Sequence, residues 1–372
     1  MNNMEEKQQR RLQSLDALRG FDMLGIMGGS GFFIALATLF PTPFFQAIAV
    51  QMDHVAWHGF NVEDMIFPLF LFIAGISFPF SLAKQRENGM TDAAIYKKII
   101  RRGLTLVFLG FVYNGLLNFD FEEQRYASVL GRIGLAWMFA ALIFVNTKAK
   151  TRVIITVAIL VAYWLVLAFN PAPDGNGAGI FTREGCFACY VDRLFLPGLN
   201  SEIHDPEGIL STFPAICTAL LGMFTGEFVK LKNKQISESR KSAMMFGVGV
   251  GLILLGLIWD LFFPINKNLW TSSFVCFVGG ISMVLFAIFY YVIDVRNCRG
   301  WTLFFTVIGM NSITIYLAQA FVDFSFVSKA IFGGLIGFLP ETAQPVFGEV
   351  AYIVVCWSFL YFLYRRRIFL KV

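Results

Sequence analysis

Ten runs of about twenty predominantly apolar residues, each long enough to cross a bilayer, decide what this chain can fold into. They fall near residues 21–40, 65–83, 103–119, 127–145, 153–169, 209–229, 242–262, 271–293, 302–322 and 347–364. A water-soluble globule has no room to hide them. Of the 372 residues 57% are hydrophobic and only 15% charged, with 43 Phe, while a single soluble core stops growing near about 250–300 residues. Disorder requires low hydrophobicity, and six Cys are too few for a disulfide scaffold. In lipid each span must satisfy its own backbone hydrogen bonds, which calls for helices. The short alternating segments of an outer-membrane barrel are missing. The expected fold is therefore all-α: one polytopic transmembrane helical bundle over residues 1–372, with about ten spans. Residues 326–339 are too short for a span and read as an interfacial or re-entrant piece.

Lys and Arg orient the bundle. With the N-terminus in the cytoplasm, 24 of the 30 basic residues fall on inner segments, and the outer segments hold only Arg125, Arg183, Arg193, Lys267 and Lys329. The asymmetry predicts that both termini are cytoplasmic. Sixteen of the 25 acids lie on or near the outer side, which would gather cationic solutes there. Most of this bias needs no ligand, since acids settle where basic residues are excluded. The first apolar run is expected to stay as an anchor, because no small-residue cleavage site follows it. No internal repeat, Walker loop or nucleic-acid motif is visible, and Gly247, Gly249, Gly251 and Gly256 read as helix-packing residues.

Chemistry concentrates on the outer side. The histidines His54, His58 and His204 all fall there. The outer loop 41–64 carries His54 and, at the mouth of the second span, Asp64, which could orient an imidazole or hold an ammonium group. A solvated loop histidine beside a capping acid is the plain alternative. His54, His58 and Asp64 lack a convincing full ligand set, so no metal is expected. The long outer loop 170–208 contains Cys186 and Cys189, whose simplest fate in an oxidising compartment is a local disulfide. Asp205, Pro206 and Glu207 make a good helix start, and the same helix mouth could face a substrate. Asn266, Lys267, Asn268 and Trp270 put amide donors beside an aromatic plate, as a sugar site requires, although Trp is common at membrane interfaces anyway. Arg132 and Asn311 lie inside spans and must find partners or line a cavity. On the inner side Arg19, Lys97, Lys98, Arg101 and Arg102 satisfy the topology rule and could also hold the phosphates of a nucleotide-bearing cofactor.

Four blocks resemble the heparan-alpha-glucosaminide N-acetyltransferase family of transmembrane acetyltransferases, in its bacterial form. They are Ser14-Leu15-Asp16-Ala17-Leu18-Arg19-Gly20; His54-x-x-Trp57-x-Gly59 followed by Asp64-x-x-Phe67-Pro68; Asp205-Pro206-Glu207-Gly208; and Pro264-x-Asn266-Lys267-Asn268-Leu269-Trp270 with Gly309-Met310-Asn311-Ser312 beyond it. The resemblance implies an enzyme of the bacterial inner membrane that moves acetyl from cytosolic acetyl-CoA to the amine of a glucosamine-type sugar on the periplasmic side. The family's active-site histidine falls on His54, with Asp64 as its orienting or amine-holding carboxylate. Trp57, Asp205, Glu207, Asn266, Lys267, Asn268 and Trp270 become candidate acceptor contacts. Arg19, Ser30, Arg101, Arg102, Arg132 and Asn311 become candidate acetyl-CoA contacts. Lysosomal members have an Asn before a glycine run in the first span, where this chain has Gly28-Gly29-Ser30-Gly31 with Ser30 as the substitute, and those members carry an extra N-terminal luminal portion. The implied partners are acetyl-CoA, the amino sugar and the lipid bilayer, with no metal and no nucleic acid, and with a homodimer left open. Two other readings remain: a sugar or lipid-linked solute transporter, against which the lack of visible repeats or interrupted helices weighs, and a membrane O-acyltransferase.

Overall fold

The computed structural model of the protein describes residues 12–121, 124–201, 203–231 and 236–370. Of the basic residues assigned above to the inner segments, Lys7, Arg10, Arg11, Lys232, Lys234 and Lys371 lie outside them.

The chain begins with α1 (Gln13–Leu24), a wide turn over Gly25–Gly29, and α2 (Ser30–Leu39), which together form one long apolar element. Helix α3 (Pro43–Gln51) is capped by Thr42, with Pro43 in its first turn. Next come α4 (Ile66–Glu87), α5 (Asp92–Tyr113), α6 (Val129–Asn146) and α7 (Ala149–Phe169). The loop that follows contains α8 (Phe187–Phe195). Helices α9 (Thr212–Lys230), α10 (Glu238–Asp260) and α11 (Ser272–Phe289) continue the bundle. It closes with α12 (Thr302–Met310), α13 (Ser312–Phe321), α14 (Phe324–Ile336) and α15 (Gln344–Arg365). Short links force neighbours such as α4 and α5, or α6 and α7, to run antiparallel.

Among the described residues eight helices are long and apolar enough to cross a membrane, and α12 with α13 makes a ninth if that bent pair is one span. The protein is a multi-pass membrane protein of helices, as its composition requires. The count falls below the ten expected at α5. That helix has the length, but Lys97, Lys98, Arg101 and Arg102 crowd its first half. The first span also begins earlier than the hydropathy suggests, because Ser14, Asp16 and Asp22 are buried within the bundle. Residues 326–339 hold most of α14, a short apolar helix with Phe326, Ile331 and Leu335 exposed.

Among the described residues two spans are interrupted, although no interrupted helix is visible in the sequence. The first kinks at Gly28, whose φ of 99° lies where only glycine is comfortable. The other bends by 65° at Asn311, between α12 and α13. Elsewhere small residues let helices touch through their backbones: a Cβ on Gly20 would lie 1.8 Å from the Phe305 carbonyl oxygen, and one on Gly309 would lie 1.9 Å from that of Asp16. In the glycine-rich run of α10, Gly249 and Gly256 pack on α11 in this way, whereas Gly247 and Gly251 face open space.

Helices α4, α6 and α9 form the centre, with Leu71, Phe72, Ile76, Ala140, Ala219 and Leu220 among the buried side chains. Helices α7, α10 and α15 carry apolar residues outward, including Ile154, Leu254, Ile258 and Val354, as lipid-facing surfaces should. Cys186 and Cys189 stand as buried thiols at the start of α8 rather than as the expected disulfide.

Candidate active site

A cavity of about 460 Å³ opens where the loops after α3, α8 and α10 converge. His54, Glu63, Asp64, Arg183, His204, Glu207, Lys267 and Asn268 contribute its polar wall. Its apolar part comes from Met23 and Ile26 beside the first kink, Phe67 and Phe70 of α4, Leu130 and Ile133 of α6, and Ile313 and Tyr316 beyond the second break. Both interrupted helices therefore border the cavity, since α13 also supplies Ser312.

The histidine is held by local chain geometry. Residues Val62–Met65 form one tight helical turn, which buries Asp64 at its end. One Asp64 oxygen accepts N–H bonds from Val55 at 3.3 Å and Asn61 at 3.1 Å. The other lies 2.9 Å from His54 Nδ1, while the His54 side chain remains 57% exposed. A carboxylate at Nδ1 favours the tautomer protonated there and leaves Nε2 as the basic nitrogen. The Asn61 amide ties this turn back to the Val50 and Asp53 carbonyls, each at 2.9 Å.

Lys267 completes the cluster from more than 200 residues away. Its Nζ lies 3.2 Å from Asp64 Oδ1, and 3.1 and 3.4 Å from the two His54 ring nitrogens. The turn that presents it is braced from below. Asn266 is buried, accepts the Leu269 N–H at 3.0 Å and donates its own N–H to Thr271 Oγ1. Buried Tyr163 donates to the Leu269 carbonyl at 2.6 Å. Trp270 is wholly buried, donating to Thr218 Oγ1 at 3.1 Å and packing edge-on against Phe67. Thus Lys267 and Asn268 reach the cavity, while Asn266 and Trp270 hold the turn that carries them.

The opposite wall depends on Arg125. It forms a fork on Asp205, at 2.8 and 2.6 Å, and also pairs with Glu207. Asp205 is buried off the cavity and additionally accepts N–H bonds from Asn200 and Glu207. Burial alone would raise the Asp205 carboxyl, but Arg125 holds it below the usual range, and burial's opposing pull on Arg125 is outweighed by the two acids, which raise it. Glu207 and His204 line the cavity. Burial, with nearby Arg183, pushes His204 down and favours its neutral form. Trp57 stands just behind, donating to the Phe181 carbonyl at 2.7 Å and meeting His204 edge-to-face at 5.1 Å. His58 points away and meets Asp260 at 3.1 Å.

The remaining candidates lie outside the cavity wall. Ser30 donates to Glu63. Arg19 donates to Ser77 at 3.3 Å. Arg101 lies with Lys97 on a shallow groove of α5, and Arg102 stacks 4.3 Å over Trp137 with its Nε buried and unpartnered. Arg132 is buried, donating to the Gly208 carbonyl and Ser211 and facing the Trp270 ring. Asn311 sits at the bend with its Nδ2 unpartnered. Among the described residues no three His, Cys, Asp or Glu side chains converge as metal ligands. Sequence reasoning gave Arg125 and Arg183 no part in the site and marked Glu63 only as one of the outer acids that would gather cations. His204 did carry a signal, as one of only three histidines.

Residues 11–256 match the family model described as the catalytic region of heparan-alpha-glucosaminide N-acetyltransferase. The human protein of that name is 26% identical over 420 residues, covering 97% of this chain and 60% of the relative. The mouse protein is also 26% identical, covering 86% and 56%. The chain thus spans 60% of the human and 56% of the mouse relative's length. An uncharacterized 39.9 kDa protein of Bacillus acidopullulyticus is 29% identical over 125 residues, covering 34% of this chain and 32% of that one.

Proposed function

Since this chain belongs to the heparan-alpha-glucosaminide N-acetyltransferase family, we propose that it transfers acetyl from acetyl-CoA to the amine of a glucosamine-type sugar, with acetyl-CoA drawn from the cytosol and the acceptor from the periplasmic side of a bacterial inner membrane. The observation that carries the reading is the His54–Asp64 pair at a cavity whose remaining wall is largely apolar. A thioester is already activated, so the site has to supply only a base, a fixed geometry and stabilisation of the carbonyl oxygen. His54 Nε2 removes a proton from the acceptor amine. The amine lone pair attacks the thioester carbonyl, the C–N bond forms, the C–S bond breaks, and the departing thiolate takes the second proton that the nitrogen loses as it becomes an amide. In an alternative order His54 takes the acetyl itself and then passes it to the amine. Lys267 and Asn268, which line the cavity, are better placed than Asn311 or Ser30 to donate to the developing oxyanion. The unpartnered Nε of Arg102 on the opposite half of the bundle suits an anionic nucleotide end.

The test is incubation of the purified protein with labelled acetyl-CoA and a panel of amino sugars. Label in an amide product supports the reading; ester product would move it to O-acylation. The two interrupted helices beside the cavity favour a second reading, solute transport. Uptake of labelled sugar into vesicles without acetyl-CoA would select it.

A further inference from the structure

Among the described residues three carboxylates line the cavity, and their partners set them apart. Asp64 is shared by His54, Lys267 and two backbone N–H groups. Glu207 is charge-paired with Arg125. Glu63 accepts one hydrogen bond, from the Ser30 hydroxyl, and forms no ion pair among the described residues. Among the described residues it is the cavity acid with an orienting partner but no countercharge.

We propose that Glu63, set in place by Ser30, is the carboxylate that receives the acceptor's ammonium group, so the acceptor is a primary amine that arrives as a cation. The inference rests on the acetyl-transfer reading above. Glu63 and Asp64 are consecutive residues of the turn Val62–Met65. The acid that would hold the amine and the acid that orients His54 thus ride on one short piece of backbone, and their spacing is fixed before any ligand arrives. Ser30 comes from the other side, at the first position of α2 after the glycine kink. The kink therefore has a local consequence: it sets the helix start that carries the hydroxyl. Binding as a cation also separates substrate from product. As the nitrogen bonds to the acetyl carbon and the C–S bond breaks, two N–H protons leave it, one to His54 and one to the departing thiolate; the resulting amide is neutral, and its attraction to Glu63 falls to that of an ordinary hydrogen bond.

Steady-state kinetics with acetyl-CoA and glucosamine, galactosamine and cyclohexylamine as probe acceptors test this. Glu63→Gln is expected to raise the acceptor KM about tenfold or more, the size of a lost charge-assisted contact, with the acetyl-CoA KM within about twofold of wild type. Ser30→Ala and Glu63→Asp are expected to shift the acceptor KM in the same direction by less. If Glu63→Gln does not fold, those two variants decide by the same criterion. An unchanged acceptor KM, or equal rises in both KM values, overturns the assignment while leaving acetyl transfer intact. Wild-type protein that acetylates none of the amines removes the function and this inference together.

Discussion

Asp64 Oδ1 lies 2.9 Å from His54 Nδ1, and the same oxygen is 3.2 Å from Lys267 Nζ. One buried carboxylate thus fixes both the ring and the ammonium beside it. Asp64→Asn keeps the volume but offers an amide that can present either N–H or C=O to the ring. Acetyl transfer should fall by about a hundredfold or more, the usual scale for a misdirected general base. A turnover assay on protein with an unchanged melting temperature checks this.

Arg125→Ala should act on stability as well as activity. It leaves Asp205 buried without its countercharge and frees Glu207 from the wall. Breaking such a pair costs about 3 kcal/mol, somewhat moderated here because the arginine is partly exposed. Thermal unfolding in detergent reads the loss, and Arg125→Lys should recover only part of it because lysine cannot form the fork.

Asp192 gives a pH signature. Burial pushes its carboxyl up to about 7, against the opposing N–H bond from Ile209. In the unfolded chain an aspartate ionises near 4. The group's contribution to stability is therefore full below about pH 4 and is lost as pH rises toward 7. Melting temperatures between pH 4 and 8 should show this component in wild type and lack it in Asp192→Asn. Equal slopes would contradict the assignment.

Trp270 was legible as an interface aromatic or a sugar plate, and the structure gives it a different place. Fully buried against Phe67 and Phe274, it supports the Lys267 turn from beneath. Trp270→Ala should cost about 3–5 kcal/mol of stability, visible as a lower unfolding midpoint, and should impair acetyl transfer in the protein that remains folded.

Hydropathy revealed most of the spans, because lipid imposes length and apolarity on each helix separately. The described helices depart from it at α5, where cations share a helix with an apolar half and length and composition do not qualify it as a span, and at the start of α1, where buried polar residues mimic a solvated segment. The breaks at Gly28 and Asn311 depend on packing between distant helices and left no unambiguous local mark. His54 and Asp64 could be paired by eye because ten residues of one loop separate them. Lys267 joins them only through the fold, and Arg125 gave no sign that it would hold Glu207 at the cavity, since a lone arginine in an outer loop has many ordinary explanations.

His54 is the residue proposed to stand at the point of acetyl transfer, and the direct measurement is transfer of labelled acetyl from acetyl-CoA to an amino sugar by wild type and by His54→Ala. Wild type should form labelled amide, and the variant should form none while it stays folded and still binds CoA. Wild-type turnover by His54→Ala would rule out this role for the imidazole.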